Sequence, residues 1–405
     1  MRIAVVSPFL DRRHGAERCV VEQIEHYCRQ PGIEVHIYAQ KIQDLEVVPF
    51  SHRQRDQGSL GKPVWHWLPA FPGPHLFNYL WWFFANTWLR WFHRTFRFLD
   101  YDVVFSPGIN CPDADAIVVH VVFHEFLRHV RESLRLRANP PRSWPAMVHR
   151  LLYYRLLMLL EDRIYPDPKV HLAAVSELTA RELSHSAGRT DITVIPNAVD
   201  SAKFNPQERL QRRAQARAAF GIQDSDFTLL LLGNGWASKG LGAVLAAMAL
   251  LHEIPLQLLV VGRDDQAPFL EQIHALRLDG RVRFQEPSPD VLRFYAAADA
   301  YVGPSLHDSF ALPPLEAMAC GLPVITSVQN GGSQVITDGR DGFVMTDATD
   351  SSRLAELLRA LWQSPEFCAK LGAAAACTVK EYNWERNASE TFAFLLSALR
   401  RKESQ

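Results

Sequence analysis

The chain has 405 residues, enough for two or three domains with real cores, and its 48% hydrophobic and 21% charged residues exclude a disordered or fibrous protein. A formal net charge of -1 removes any global pull toward nucleic acid, so binding to an anionic surface has to come from a local patch. The six cysteines, Cys19, Cys28, Cys111, Cys320, Cys368 and Cys377, stand apart with no C-x-x-C pair and no Cys/His metal spacing, which fits a reduced cytoplasmic setting.

The opening run, residues 1–8, meets charge at Asp11, Arg12 and Arg13 too soon for the apolar region of a signal peptide, and reads as a buried first strand. The long uncharged stretch 63–89 is Pro-rich to position 74, and 76–89 is too short to span a bilayer, so no transmembrane helix is expected. Ile3 to Val6 is a short apolar strand, followed by a loop carrying Gly15. A helical pattern with Val20, Val21, Ile24, Tyr27 and Cys28 on one side comes next, then a strand from Ile33 to Ala39. Further apolar runs at 102–105, 116–122, 170–175 and 192–195 alternate with helical segments, the pattern of a Rossmann-like parallel sheet covered on both faces. The turn at Gly15 is where such a sheet meets a ligand, although no G-x-G-x-x-G is present.

Two segments of this half stand out. Residues 76–99 hold Phe77, Tyr79, Trp81, Trp82, Phe83, Phe84, Trp88, Trp91, Phe92, Phe96 and Phe98, interleaved with Arg90, Arg94 and Arg97. Aromatics on every side of the helix favour a core helix over one lying in a membrane interface. Residues 126–163 carry Arg128, Arg131, Arg135, Arg137, Arg142, Arg150, Arg155 and Arg163 beside an apolar block, Leu151 to Leu160. That mixture suits an anionic lipid surface or an anionic acceptor, and equally the solvated face of a buried helix.

Ile195-Pro-Asn-Ala-Val-Asp200 closes the first half, and the Arg/Ala/Gln-rich segment from Pro206 to Gly221 reads as a linker. Strand Thr228 to Leu232, the loop Gly233 to Gly240 and a helix with Leu241, Val244, Leu245, Met248 and Leu251 restart the alternation. Short strands at 256–261, 282–284, 300–302, 324–326 and 343–345 complete a second Rossmann-like domain, and a helical tail follows from Tyr382.

The candidate site residues lie mostly in this second half. Lys239 ends a glycine-bearing loop directly after a strand, where its ammonium and the backbone around Gly235 and Ser238 suit phosphate oxygens; the spacing is not that of a Walker loop. Arg263, just past strand-end Gly262, is where doubly wound sheets bind ligands. In the first half, His120 and His124 flank the end of the strand that starts at Ala116. The stretch 305–316 places Asp308 and Glu316 eight apart across an apolar loop, with Pro313 and Pro314 suited to a first helical turn from which Glu316 projects. The N-H groups of Phe310, Ala311 and Leu312 then sit at the positive end of that helix, which favours an anion such as a diphosphate. An ordinary capped helix accounts for the same residues.

Taken together, Gly15-Ala-Glu-Arg18, Val175-Ser-Glu177, Ile195-Pro-Asn-Ala-Val-Asp200, Lys239-Gly240, the stretch from Ser305 to Val324, Asn330-Gly-Gly332 and Trp384-Glu385 resemble the retaining glycosyltransferases of family 4. Within that family the chain is similar to bacterial lipopolysaccharide core glucosyltransferases, which share the absence of an Arg after the first glycine of the 233–240 loop. The resemblance implies a GT-B fold: two facing Rossmann-like domains, residues 1–198 for the acceptor and 199–382 for the nucleotide sugar, a central cleft, and a C-terminal helix, 383–405, packing back on the first. It gives Glu316 the ribose, Asp308 the place near the donor sugar, the Phe310-Ala311-Leu312 backbone the diphosphate, and Lys239 the leaving diphosphate. The chain departs from the family pattern at Asp308, one methylene shorter than the usual Glu, at His14 and Ala311 in place of glycines, and at Gln334 where Glu is common.

The implied reaction is a metal-independent retaining transfer of a hexose from a nucleotide diphosphate sugar, UDP-linked, to a hydroxyl of a glycan or glycolipid such as a lipopolysaccharide precursor. Catalytic roles fall to Lys239, Asp308, Glu316 and His120, and donor contacts to Gly15, Gly235, Ser238, Lys239, Gly262, Arg263, Phe310, Ala311, Leu312 and Glu316. No cofactor, metal or nucleic acid is expected. The setting is cytoplasmic, with peripheral association at the anionic inner face of the cell membrane. A sugar-nucleotide epimerase of the same fold, or a non-catalytic sugar-nucleotide-binding subunit, are the alternatives.

Overall fold

The computed structural model describes residues 1–12, 14–50, 61–71, 73–96, 98–130 and 144–403. Arg13, and Arg97, Arg131, Arg135, Arg137 and Arg142 of the basic runs, lie outside the described residues. The chain divides into two compact units, one of Met1–Pro196 with Trp384–Gln405 and one of Asn197–Asn383.

The first unit opens with β1 (Arg2–Val6), β2 (Phe9–Leu10), α1 (Gly15–Cys28), β3 (Glu34–Ala39), β4 (Lys41–Ile42), β5 (Val48–Pro49) and β6 (Val64–Trp67). There follow α2 (His75–Thr95), β7 (Val103–Ser106), β8 (Ala116–Val119), α3 (Phe123–Val130), α4 (Trp144–Ile164), β9 (His171–Ala174), α5 (Glu177–Ala187) and β10 (Thr193–Val194). The main sheet runs β10-β9-β8-β7-β1-β3-β6-β5 with parallel pairings. Ile3, Val5, Val103, Phe105, Ile117 and Val119 are all fully buried, because helices on both faces turn continuous apolar runs into strands with no wet side.

The core of this unit is partly polar. His36 Nδ1 and His66 Nε2 are 2.9 Å apart, Tyr38 hydroxyl meets His93 Nδ1 at 2.8 Å and Tyr101 hydroxyl at 2.5 Å, and the His66 ring stacks on Tyr38. Burial holds His36 down to about 4, and holds His66 well below the ordinary histidine range, with His36 and His93 adding to the shift.

Helix α2 inverts the expected arrangement. Its buried face is Trp82, Phe83, Asn86, Arg90 and His93, where Arg90 bonds Asn86 Oδ1 at 2.5 Å and pairs with Asp113. Phe77, Trp81, Phe84, Trp88 and Trp91, spaced four and three residues apart along one side, are exposed instead, so the reading of the helix as core holds for half of it. Helix α4 packs beside it, with Tyr79 edge-on to Tyr153, and exposes Trp144, Val148, Leu152 and Leu159. No helix among the described residues is long and apolar enough to cross a membrane.

The second unit contains α6 (Pro206–Ala219), β11 (Phe227–Leu232), α7 (Leu241–Ala249), β12 (Leu256–Val261), α8 (Ala267–Ala275), β13 (Val282–Gln285), α9 (Leu292–Ala297) and β14 (Ala300–Gly303). It continues with α10 (Leu312–Ala319), β15 (Val324–Ser327), β16 (Phe343–Met345), α11 (Ser351–Gln363) and α12 (Pro365–Thr378). Its parallel sheet runs β13-β12-β11-β14-β15-β16. The supposed linker is helix α6: Asn205 caps it, and buried Arg217 bonds Ala297 carbonyl at 3.2 Å and Asp299 at 3.1 Å, so a basic composition conceals a helix seated in the unit.

The last helix, α13 (Trp384–Glu403), belongs to the first unit. Gln23 of α1 donates to Asn387 Oδ1 at 2.9 Å, Asn387 donates to Pro196 carbonyl at 2.7 Å, and Arg18 lies over the Trp384 ring. The six cysteines are free thiols.

Candidate active site

The strand β11 ends at Leu232 and the chain turns through Gly233 to Gly240 before α7. The turn is anchored by Trp236, whose fully buried ring packs on Phe284 and Phe269 in the core of the second unit. Gly233 is needed for the lysine: with φ +119, a Cβ there would stand 2.6 Å from Lys239 Cε. The Lys239 stem therefore lies over bare backbone and is buried, and its Nζ meets Asp308 Oδ2 at 3.0 Å. These two candidates, 69 residues apart, are brought together.

Asp308 is held on the other side by backbone. Its N-H donates to Gln329 carbonyl at 2.9 Å, and its carbonyl accepts from Gly331 N-H at 2.8 Å, a bridge to the Asn330-Gly-Gly turn. Buried Asn330 accepts from Gly332 N-H at 2.9 Å and from Ala311 N-H at 3.3 Å. One of the three cradle N-H groups is thus engaged by protein. Those of Phe310 and Leu312, at the start of α10, meet no acceptor among the described residues, and remain at the positive helix end for an anion.

Glu316 does not project from the first turn of α10. The helix starts at Leu312, so Glu316 is its fifth residue, buried, and its Oε2 accepts from Tyr295 hydroxyl at 2.7 Å. Tyr295 is fully buried, and burial, then the Glu316 charge, pushes its phenol well above the usual range, so it stays a donor.

The remaining candidates of this unit are placed differently. Gly262 provides packing room, since a Cβ there would stand 2.5 Å from Trp236 Nε1. Arg263 is exposed and pairs with Glu286 at 3.3 Å. Ser238 hydroxyl donates to Gly235 carbonyl at 2.9 Å, while its own carbonyl accepts from Leu306 N-H at 2.7 Å. The Gly235 N-H donates to Asp264 Oδ2 at 2.8 Å, and that oxygen also accepts from Trp236 N-H at 3.1 Å. Asp264, Trp236 and Tyr295 were missed by sequence reasoning; an Asp two residues past a strand-end glycine was the one available signal.

His120 and Gly15 lie in the first unit. His120 follows β8 directly, partly buried, and desolvation holds it down to about 4, so its ring is neutral at pH 7. His124 is structural: its Nδ1 is 2.7 Å from Glu161 Oε2, and the Glu161 carboxylate accepts the Phe123 and His124 N-H groups at the start of α3. Gly15 begins α1, after a turn in which Asp11 accepts from His14 N-H at 2.9 Å. Among the described residues no group of three or more His, Cys, Asp or Glu side chains is arranged to hold a metal ion.

Two Rossmann-like units, each built on a parallel sheet, with the last helix returned to the first define the GT-B fold. The same fold appears in WaaG, a glycosyltransferase involved in lipopolysaccharide biosynthesis, at 18% identity and TM-score 0.72 over 97% of this chain and 99% of that one. It appears also in Anabaena Alr3699/HepE, solved in complex with UDP and glucose, at 18% identity and TM-score 0.66 over 98% of this chain and 99% of that one.

Residues 212–377, nearly the whole of the second unit, match the family Glycosyl transferases group 1. The D-inositol 3-phosphate glycosyltransferase of Arthrobacter sp. (strain FB24) is 34% identical over 236 residues, 56% of this chain and 55% of that protein. The matched part thus spans about half the length of such relatives.

Proposed function

We propose that the protein is a glycosyltransferase that moves a hexose from a nucleotide diphosphate sugar, UDP-linked, to a hydroxyl of a glycan or glycolipid, with retention and without a metal. The observation that carries this reading is the buried Lys239 ammonium in the same unit as the open N-H groups of Phe310 and Leu312, with Glu316 held by Tyr295. Cleavage of the bond between the anomeric carbon and the β-phosphate oxygen leaves negative charge on that oxygen. A buried cation and a helix N-terminus stabilise it electrostatically. The acceptor oxygen bonds to the anomeric carbon on the same face, and its proton goes to the leaving phosphate, so no protein nucleophile is needed. Glu316 takes the ribose hydroxyls, Asp308 lies toward the sugar, and neutral His120 serves the acceptor side. The match to a group 1 domain supports the class of reaction.

The acceptor we infer is amphiphilic. The exposed stripe Phe77, Trp81, Phe84, Trp88 and Trp91 on α2, the apolar residues of α4, and exposed Arg150, Arg155 and Arg163 support peripheral association with an anionic membrane surface on its cytoplasmic side.

The test is turnover of UDP-, GDP- and ADP-linked hexoses with a glycolipid acceptor, wild type against Lys239→Ala. Loss of an electrostatic stabiliser of this kind lowers kcat by about 100- to 1000-fold. Undiminished turnover in a folded Lys239→Ala protein would overturn the assignment.

A further inference from the structure

The glycine loop that carries Lys239 has an anion-binding concavity of its own, and the protein fills it. With Gly235 in the left-handed region at φ +76, the successive N-H groups of Gly235 and Trp236 converge on one carboxylate oxygen of Asp264. The two loops are cross-tied in the other direction, since Asn234 Oδ1 accepts from Arg263 N-H at 3.0 Å. From that fixed point the contacts run straight to the lysine: Gly235 carbonyl accepts the Lys239 N-H at 2.9 Å and the Ser238 hydroxyl at 2.9 Å.

We propose that Asp264 is a positioning residue for Lys239, clamping the 233–240 loop so that the ammonium stands at a fixed point while the Gly235 and Trp236 N-H groups are withheld from the donor. The inference rests on the reading that Lys239 meets the donor diphosphate. It adds that the N-H of Gly235, which the sequence offers for phosphate, and that of Trp236 are structural. The diphosphate is left to Lys239 and the start of α10. A charged acceptor on two backbone donors is a strong tie for so short a loop, because hydrogen bonds to ionised groups exceed neutral ones. Placing a mobile cation costs binding and turnover, whereas a lysine held in place is ready for charge that develops during reaction.

The experiment compares full-length wild type, Asp264→Ala and Asp264→Asn by hydrogen exchange of residues 233–241 and by calorimetric titration with inorganic diphosphate. Asp264→Ala is expected to exchange that segment at least about tenfold faster and to bind diphosphate about tenfold more weakly. Asp264→Asn, whose amide oxygen still accepts both N-H groups, recovers most of both. Unchanged exchange at 233–241 overturns the proposal, as does diphosphate affinity equal to or above wild type, which would mean the emptied concavity itself takes the ligand. A general fold defect is distinguished by faster exchange throughout 197–383 with no rescue by Asn, and that result also overturns it. Wild-type protein without affinity for diphosphate removes the donor reading, and the exchange measurement then decides the clamp alone.

Discussion

Replacing Asp308 with Asn tests how the site exchanges its own anion for the substrate's. Asp308 Oδ2 stands 3.0 Å from Lys239 Nζ, with side chains 24% and 11% exposed. At that distance the attraction of unit charges is about 1.4 kcal/mol in bulk water and about 5.5 kcal/mol at an effective dielectric of about 20. Partial exposure and side-chain entropy bring the net coupling to about 1–3 kcal/mol. A diphosphate has to compete with Asp308 for the same ammonium, and each 1.4 kcal/mol or so is a factor of about ten. Asp308→Asn is therefore expected to tighten inorganic diphosphate and UDP by about ten- to a hundredfold, measured by titration calorimetry. Turnover should fall, because the acid proposed to lie toward the sugar is lost. The gain in affinity should shrink as salt rises, since added ions screen the competing charges. Asp308→Glu, which keeps the charge, should stay within about threefold of wild type if charge competition is the dominant effect. Unchanged or weakened diphosphate binding in a folded Asp308→Asn protein would refute the competition argument.

The histidine core predicts acid lability. Unfolded histidine takes up a proton near pH 6.5, while His36 resists until about 4 and burial holds His66 well below the ordinary histidine range as well. Stability is therefore full above about pH 6.5 and falls as pH drops toward 4, by on the order of 3 kcal/mol for His36 alone. A melting temperature that does not fall between pH 7 and 5 would contradict it. Tyr295→Phe removes the 2.7 Å hydrogen bond to Glu316 and keeps the ring. The donor KM should rise about five- to tenfold with kcat within about twofold, as expected for loss of a charge-assisted bond used in binding. For the aromatic stripe, vesicles of anionic lipid should float wild type at low salt but not at high salt, and Trp88→Ala with Trp91→Ala should reduce flotation several-fold. No flotation at low salt would sink the membrane reading.

Alternating apolar runs made the parallel sheets legible, down to Leu256–Val261 and Phe343–Met345, because strands buried on both faces carry no competing pattern. Strand β6 escaped notice: its sequence Val-Trp-His-Trp buries His66 and exposes Trp67, the reverse of what hydrophobicity implies. Helix α2 hid its split for the same reason. Asn86, Arg90 and His93 can be buried only because the Asn110 carbonyl, Asp113 and Tyr38, remote in sequence, satisfy them. Lys239, Asp308 and Glu316 were readable as residue types in place. That Asp308 reaches Lys239 and Tyr295 reaches Glu316 depends on sheet order, which spacing does not encode.

The second unit satisfies its own electrostatics with groups of unequal permanence, and the difference orders the binding event. Asp264 accepts two backbone N-H groups, and releasing it would leave both without their partner. Asn330 likewise ties Ala311 and Gly332 through one buried oxygen. Asp308 is different: its backbone is fixed by the bridge to Asn330, but its side chain meets Lys239, whose ammonium has three donors and can share or exchange acceptors. In the proposed reaction, a diphosphate arriving at the open N-H groups of Phe310 and Leu312 would draw on the lysine without dismantling the loop. On that proposal the shorter acid at 308 is a counter-ion that pairs with Lys239 until the donor supplies another.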